Sequence, residues 1–357
     1  GHQNRRPTAT FPGGQHAQPL SDRTHSADSQ RTHHQPNGEH NMPEININDP
    51  ASILSAIPAV LGFHPQASIV VILISADHDG AESLHSMLRF DIDINAARKL
   101  TTVAAPAFRN ISAAILVAIC GDWIAGHAAT VLDVVRDSLA QLNIPTRIRL
   151  TTPTLDQPAH WTNIDAADSG PVTPFNRTAF AAETVFSGKR IAPTREAIVA
   201  EFTPATNPAP ILRAAPADIV VDTFETLAAI ISGTASADRH PDLATRVAIL
   251  IADLRLRDAA LRLSIDHADA AAALWTQLAN QLTGTARIDT LTLAAGCYYA
   301  AGDGVRAGIA LDVAASEANA AHLDYPRLAQ MLLAALQAGL PPAEIRAALA
   351  GVGRRDT

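Results

Sequence analysis

Two kinds of hydrophobic pattern divide this chain. Between Ser68 and Ser75 the residues run Ile-Val-Val-Ile-Leu-Ile, and Ile111 to Cys120 reads ISAAILVAIC, with no polar alternation in either stretch. Aliphatic runs of this length predict strands covered on both faces, which occur mainly in α/β domains. From residue 218 onward the spacing changes. Apolar residues recur at three- and four-residue intervals, and no convincing strand follows.

The first pattern organises residues 44–152 as an α/β domain. Asp49 precedes Pro50, and Ile53, Leu54, Ile57, Val60 and Leu61 form one stripe, so a helix capped by Asp49 runs to a left-handed stop at Gly62. After the first strand, the polar loop DHDGAES leads to a second near 86–93, and Asn95 is expected to cap a helix to about 107. The 111–120 strand is followed by a helix over about 125–142 and by TRIRLT at 146–151, whose alternation predicts a sheet edge. Two strand–helix–strand units predict a mixed, partly parallel sheet with helices packed on it.

Residues 153–217 contain nine of the 23 prolines and are expected to be largely irregular. Two short helices are predicted there, about 176–187, stopped by Gly188, and 194–202, capped by Thr194. The second pattern predicts an all-α domain over 218–357, with helices near 218–232, 242–263, 267–282, 289–301, 304–318, 325–338 and 342–350. Asp242, Asp266, Asp289, Asp303 and Asp324 stand at the predicted N-caps, and Gly302 and Gly339 close helices. The fragment LTLAAGCYYAAGD with VRAGIALDVA resembles a tetratricopeptide (TPR-like) hairpin, and a weaker copy spans Leu328 to Leu349 at roughly the 34-residue offset of that repeat. Ordinary antiparallel helical packing accounts for the same features.

Composition narrows the function classes. Residues 1–43 are nearly free of aliphatics and are expected to form a disordered tail, with Met42 as an alternative native start to Gly1. That tail holds His2, His16, His25, His33, His34 and His40 at irregular spacing, which suits adventitious metal binding better than a built site. The net charge is −8, with no run of basic residues to track phosphates and only 4% aromatics, so nucleic-acid binding is disfavoured. Only Lys99 and Lys189 are lysine among 27 basic residues, a bias that reads as a high-GC genome. Cys120 and Cys297 stand far apart and outline neither a disulfide framework nor a zinc site. The longest apolar run is about half of what crosses a bilayer, and no signal-peptide core opens the chain, so a soluble cytoplasmic protein is expected.

Candidate chemistry is sparse. Gly302-Asp303-Gly304 with Gly308 has the wrong spacing for a dinucleotide loop and joins two helices. Gly188-Lys189 lacks the upstream glycine and the following Ser or Thr of a phosphate loop. Asp77-His78-Asp79 offers metal-ligand types, but no fourth ligand sits at a helpful spacing, so a solvated loop explains it better and no metal is expected. The strongest positions gather where the predicted strands end. Gly121, Asp122 and Trp123 follow the third strand at the carboxyl edge, where open α/β sheets bind ligands. Gly121 permits close approach, Asp122 can accept hydrogen bonds, and Trp123 can stack on a planar group. A tight turn with a capping carboxylate and a packed indole is the bland alternative. His64, in the LGFHP turn, is either a ligand contact or a histidine bonded to the backbone; Ser75, ending the first strand, completes the set. Cys120 lacks a partner base, His127 being the nearest candidate in sequence.

The helix with LGFHP and its aliphatic strand (Ile53 to Ile74), His160-Trp161, PTREAIVAEF, YYAAGD…GIALDVA and AGLPPAEIRAAL together resemble an uncharacterised actinobacterial family, domain of unknown function 4192, over about 45–350. Its members tend to carry cysteines soon after the tryptophan segment, where this chain has Asp165-Ala-Ala-Asp-Ser-Gly170. The resemblance implies an actinobacterial cytoplasmic protein and carries no activity or cofactor with it. Two functions are therefore expected in order. The first is a non-catalytic interaction or regulatory module that binds a protein partner or a second copy through its helical domain. The second is a sensor or enzyme that binds a small ligand, a nucleotide among the candidates, at the carboxyl edge of the sheet.

Overall fold

The computed structural model describes residues 45–76, 79–103, 108, 110–210 and 217–351. The tail over 1–43, Met42 and the Asp77-His78 pair lie outside them.

Helix α1 (Pro50–Leu61) begins as its sequence predicts, Asp49 accepting hydrogen bonds from the Ala51 and Ser52 amides, and ends at Gly62 with φ 73°. Six strands follow: β1 (Ser68–Ala76), β2 (Glu82–Asp91), β3 (Ile111–Ile119), β4 (Thr146–Thr152), β5 (Ala159–Asn163) and β6 (Ser169–Val172). They lie in the order β2-β1-β3-β4-β5-β6, with only β3 and β4 parallel neighbours. Because β1 runs antiparallel to both β2 and β3, the carboxyl end of β3 lies beside the amino end of β1, Ser68 opposite Ile119.

The missing polar alternation in β1 and β3 has a direct cause: both faces of the sheet are buried. Val70, Ile72, Ile74, Ile115 and Val117 face α1 and the helical region, in one continuous core. Ile69, Val71, Leu73, Leu116 and Ala118 face the opposite layer, α2 (Ile94–Val103) and α3 (Ala125–Gln141), through Ala97, Val131, Leu132 and Val135.

Several expectations are corrected. β4 is an interior strand, because β5 and β6 extend the sheet beyond it. Its alternation comes from Arg149, only 5% exposed, which is paired with Asp133 on α3 and Asp165 beyond β5. A buried charge with partners imitates a solvent-facing position. The proline-rich stretch supplies β5 and β6, and Pro171 fits because β6 is an edge strand. Asp93, not Asn95, caps α2, its carboxylate accepting from the Asn95 amide at 2.9 Å.

Two short helices, α4 (Ala179–Phe186) and α5 (Arg195–Glu201), lead to the helical region. That region comprises α6 (Ala217–Ile231), α7 (Leu243–Ile251), α8 (Leu254–Ile265), α9 (Ala268–Gln281), α10 (Gly284–Ala300), α11 (Gly304–Ala321), α12 (Arg327–Gln337) and α13 (Pro342–Gly351). The helix expected over 242–263 is two, broken where Asp253 caps α8 by accepting from the Arg255 amide at 2.7 Å. Asp303 caps α11 as expected, but Asp266 ends α8, Asp289 lies within α10, and Asp324 precedes the cap of α12, Pro326. α10 is apolar almost all round and is accordingly buried almost all round, against α7, α8, α9, α11, α12 and α13. At Gly296 leucines from three helices, Leu261, Leu332 and Leu349, come within 3.6 Å of where a Cβ would stand.

Candidate functional site

The strand directions gather one end of the sheet into a site. Beyond Ile119, the Cys120 amide donates to the Thr152 carbonyl at 2.9 Å, and Asp122–Ile124 then makes one 3-10 turn into α3. The segment Phe63–Ala67 reaches the same end, because it feeds the amino end of β1. It is tied down by backbone pairing: the His64 amide donates to the Ala192 carbonyl at 3.1 Å, and the Ala192 amide to Gly62 at 2.9 Å.

The His64 side chain is held separately. Its Nδ1 lies against Oδ1 of Asp156, from the loop after β4, and both atoms are buried. The Phe175 ring closes edge-on against the imidazole, with centroids 5.4 Å apart at 80°. The Asp156 carboxylate on one side and the Phe175 ring on the other fix the orientation of the imidazole. His64 thus has the geometry of an oriented imidazole as well as the backbone tether of a turn residue.

Two cavities flank the Gln66–Ala67 turn, which with Ile124 forms their shared wall. One, of about 370 Å³, is lined by His64, Phe63, Arg89 and the start of α5. The other, of about 350 Å³, is lined by Cys120, Gly121, Trp123, Thr154 and Gln157. Ala67 itself has φ 45°, a left-handed conformation that costs a non-glycine residue about 1–2 kcal/mol. Strain of this kind persists only where the surroundings impose it, and here it shapes the partition between two cavities.

Electrostatics distinguish the lining groups. Arg89 is satisfied within the protein: its Nε donates to Ser68 Oγ at 2.8 Å, it pairs with Asp91 at 2.8 Å, and it stacks over Phe63. The backbone amide and the Thr194 hydroxyl hold the Glu196 carboxyl below the usual carboxylate range. Burial, with the nearby Asp122 charge, pushes the Cys120 thiol up, so it stays protonated and is a poor nucleophile.

Of the residues singled out from sequence, His64, Gly121, Asp122 and Trp123 share this end of the sheet. Trp123 is 85% exposed, its indole resting over Gly121, where a Cβ would meet the ring at 3.1 Å. Asp122 is exposed and lines neither cavity. Ser75 is not at this site. It pairs with Ser83 and Ile111 at the opposite end of β1, about 23 Å away at about 3.3 Å per residue. His127 is exposed on α3. Asp156 and Phe175, which complete the His64 environment, come from the proline-rich stretch, and no local spacing marks them. Among the described residues, no group of three or more His, Cys, Asp or Glu side chains is placed to hold a metal ion.

Fold and site together define a mixed α/β sheet, covered on one face by a helical region, with a histidine–carboxylate pair beside cavities at one sheet end. A family model described as Domain of unknown function (DUF4192) matches residues 50–343, and the chain belongs to that family. No curated protein and no solved structure matches it.

Proposed function

We propose that this protein binds a small planar ligand at the sheet end where β3 stops. The observation that carries the reading is the buried contact of His64 Nδ1 with Asp156, which fixes the imidazole in a cavity wall. The ligand hydrogen-bonds the His64 imidazole and lays its ring across the Gln66–Ala67 wall onto Trp123. Cavities of this size are ordinary for small molecules, and an exposed indole beside one supplies a stacking face. Screening nucleosides and related planar metabolites by thermal shift, then by calorimetry, tests it. His64→Ala and Trp123→Ala should each weaken a hit about tenfold, the scale of one hydrogen bond or one stacked ring. A hit that binds both variants as tightly as the wild type would place the ligand elsewhere.

A second reading, of a module that binds a protein partner or itself, has its own support. α12 buries only Ala329 and Leu332, while Met331 on it is 59% exposed and Leu323 and Leu340 on its flanks are exposed too. Sedimentation of the wild type against Met331→Glu tests the self-association form. An unchanged monomer at all concentrations leaves only a foreign partner for this face. In both readings the protein works in the cytoplasm, where Cys120 and Cys297, buried and unpaired, stay reduced.

A further inference from the structure

Two sequence fragments that fail as phosphate loops, Gly188-Lys189 and Gly302-Asp303, meet in space. With the end of α1 they enclose a cavity of about 490 Å³, larger than either cavity at the sheet end. Lys189, Arg190 and Arg306 line it, with Asp269, Asp303 and Tyr298.

The charges there are of two kinds. Arg306 is engaged: it holds Glu201 through two bonds of 2.7 and 2.8 Å and Asp303 through one of 2.9 Å. Lys189 and Arg190 are not, since neither side chain has an ion pair or hydrogen bond among the described residues. Across the cavity Asp269 likewise has no partner among the described residues.

The bland explanation for two cations here is that they neutralise helix ends, because α1, α4 and α10 all terminate at this cavity. The backbone has already done that work. Left-handed glycines at Gly62, Gly188 and Gly302, with φ of 73°, 70° and 87°, turn the chain back on itself. The terminal carbonyls then accept from the amides that follow: Pro58 from Gly62, Thr184 from Lys189, Tyr298 from Asp303. No helix end needs the Lys189 or Arg190 side chain as its cap.

We infer that this cavity binds a small phosphorylated metabolite that also carries hydroxyl or amino donors. Adjacent lysine and arginine suit a phosphate, the ammonium as a point charge and the guanidinium through a forked pair of bonds. Asp269 opposite accepts the donors, and the volume suits a metabolite of sugar-phosphate size. The inference is independent of the ligand proposed at the sheet end.

Calorimetry on the full chain with ribose 5-phosphate, inorganic phosphate and sulfate, at matched ionic strength, tests it. Ribose 5-phosphate should bind best. Lys189→Ala/Arg190→Ala, at exposed positions that leave folding intact by circular dichroism, should weaken it at least tenfold. Asp269→Asn should weaken ribose 5-phosphate several-fold and leave inorganic phosphate unchanged, while His64→Ala should alter neither. Equal binding of sulfate and ribose 5-phosphate, or full binding by the double variant, would overturn the site. So would a wild type that binds none of the three at millimolar concentration.

Discussion

Both halves of this molecule bury an arginine, and they do so differently. In the sheet region Arg149 is met by two carboxylates, Asp133 and Asp165, each about half exposed at 48%. In the helical region Arg287, 1% exposed, meets one carboxylate, Glu317, and otherwise donates to the backbone carbonyls of Ala279 and Phe202 and to the Asn280 side-chain oxygen. The first arrangement places a charge pair at a boundary that water still reaches. The second ties the residue after α5 to the end of α9 and the start of α10, deep in the core. What differs is the fate of the partners once the arginine is gone.

The largest predicted effect tests that difference. Arg287→Met removes the cation from Glu317 and takes from the Phe202 carbonyl its donor, so denaturant unfolding should show a loss of about 3–5 kcal/mol. Arg149→Met frees two carboxylates that water can rehydrate, so its loss should be smaller, about 1–2 kcal/mol. Equal losses in the two variants would mean that the Arg149 partners are not solvated as their exposure indicates. Next in size is Gly170→Ala. A Cβ there would stand 2.8 Å from the Trp161 ring, directly across the β5–β6 pair, and Trp161 is buried. The ring has no room to retreat, so a loss of about 1–3 kcal/mol is expected by the same measurement.

Those residues also show what was legible in the chain. Strands β1 and β3 were, because burial on both faces writes an unbroken aliphatic run. β4 reads as an edge in the sequence because a paired arginine looks like a solvated one until its partners are known. β5 and β6 were not legible: four or five residues containing Pro171 or His160-Trp161 become strands through pairing, not propensity. In the helical region the 3.6-residue period located the helices, but Asp266, Asp289 and Asp324 offered caps that the chain did not use. At the sheet end, Gly121 to Trp123 could be placed from the strand alone. Ser75 could not, because the direction of β1 relative to β3 is set by a hairpin and a crossover. Asp156 depended on the return of the loop after β4.

Acid titration contrasts the regions again, with opposite signs. In the sheet region, hydrogen bonding to Arg149 holds the Asp165 carboxyl below its ordinary value. Its contribution is therefore present above the unfolded value of about 3.9 and is lost as pH falls toward the folded value. In the helical region burial raises the carboxyl of Asp289, within α10. The folded state then binds the proton more readily, so this group destabilises at neutral pH and ceases to do so once it is protonated. Asp289→Asn should raise the melting temperature slightly at pH 7, with the gain vanishing near pH 4. Arg149→Met should flatten the acid limb that the wild type shows. A gain for Asp289→Asn that persists undiminished in acid would assign it to packing instead of charge.

The smallest effect concerns the other glycine that lies under a tryptophan. Gly121 has φ −67° and ψ 159°, a conformation open to any residue, so alanine there introduces no backbone strain. A Cβ would meet the Trp123 ring at 3.1 Å, much as at Gly170, but this ring is exposed and can swing aside. Alanine also restricts the unfolded chain, which favours folding by about 0.4–1 kcal/mol and offsets the contact. Stability should therefore hardly change in Gly121→Ala. What should change is the indole itself: the fluorescence assigned to Trp123 by comparison with Trp123→Phe should shift, and any ligand stacked on it should bind more weakly. The two glycine variants, alike in contact and opposite in outcome, would separate a tryptophan packed for structure from one left free at a cavity mouth.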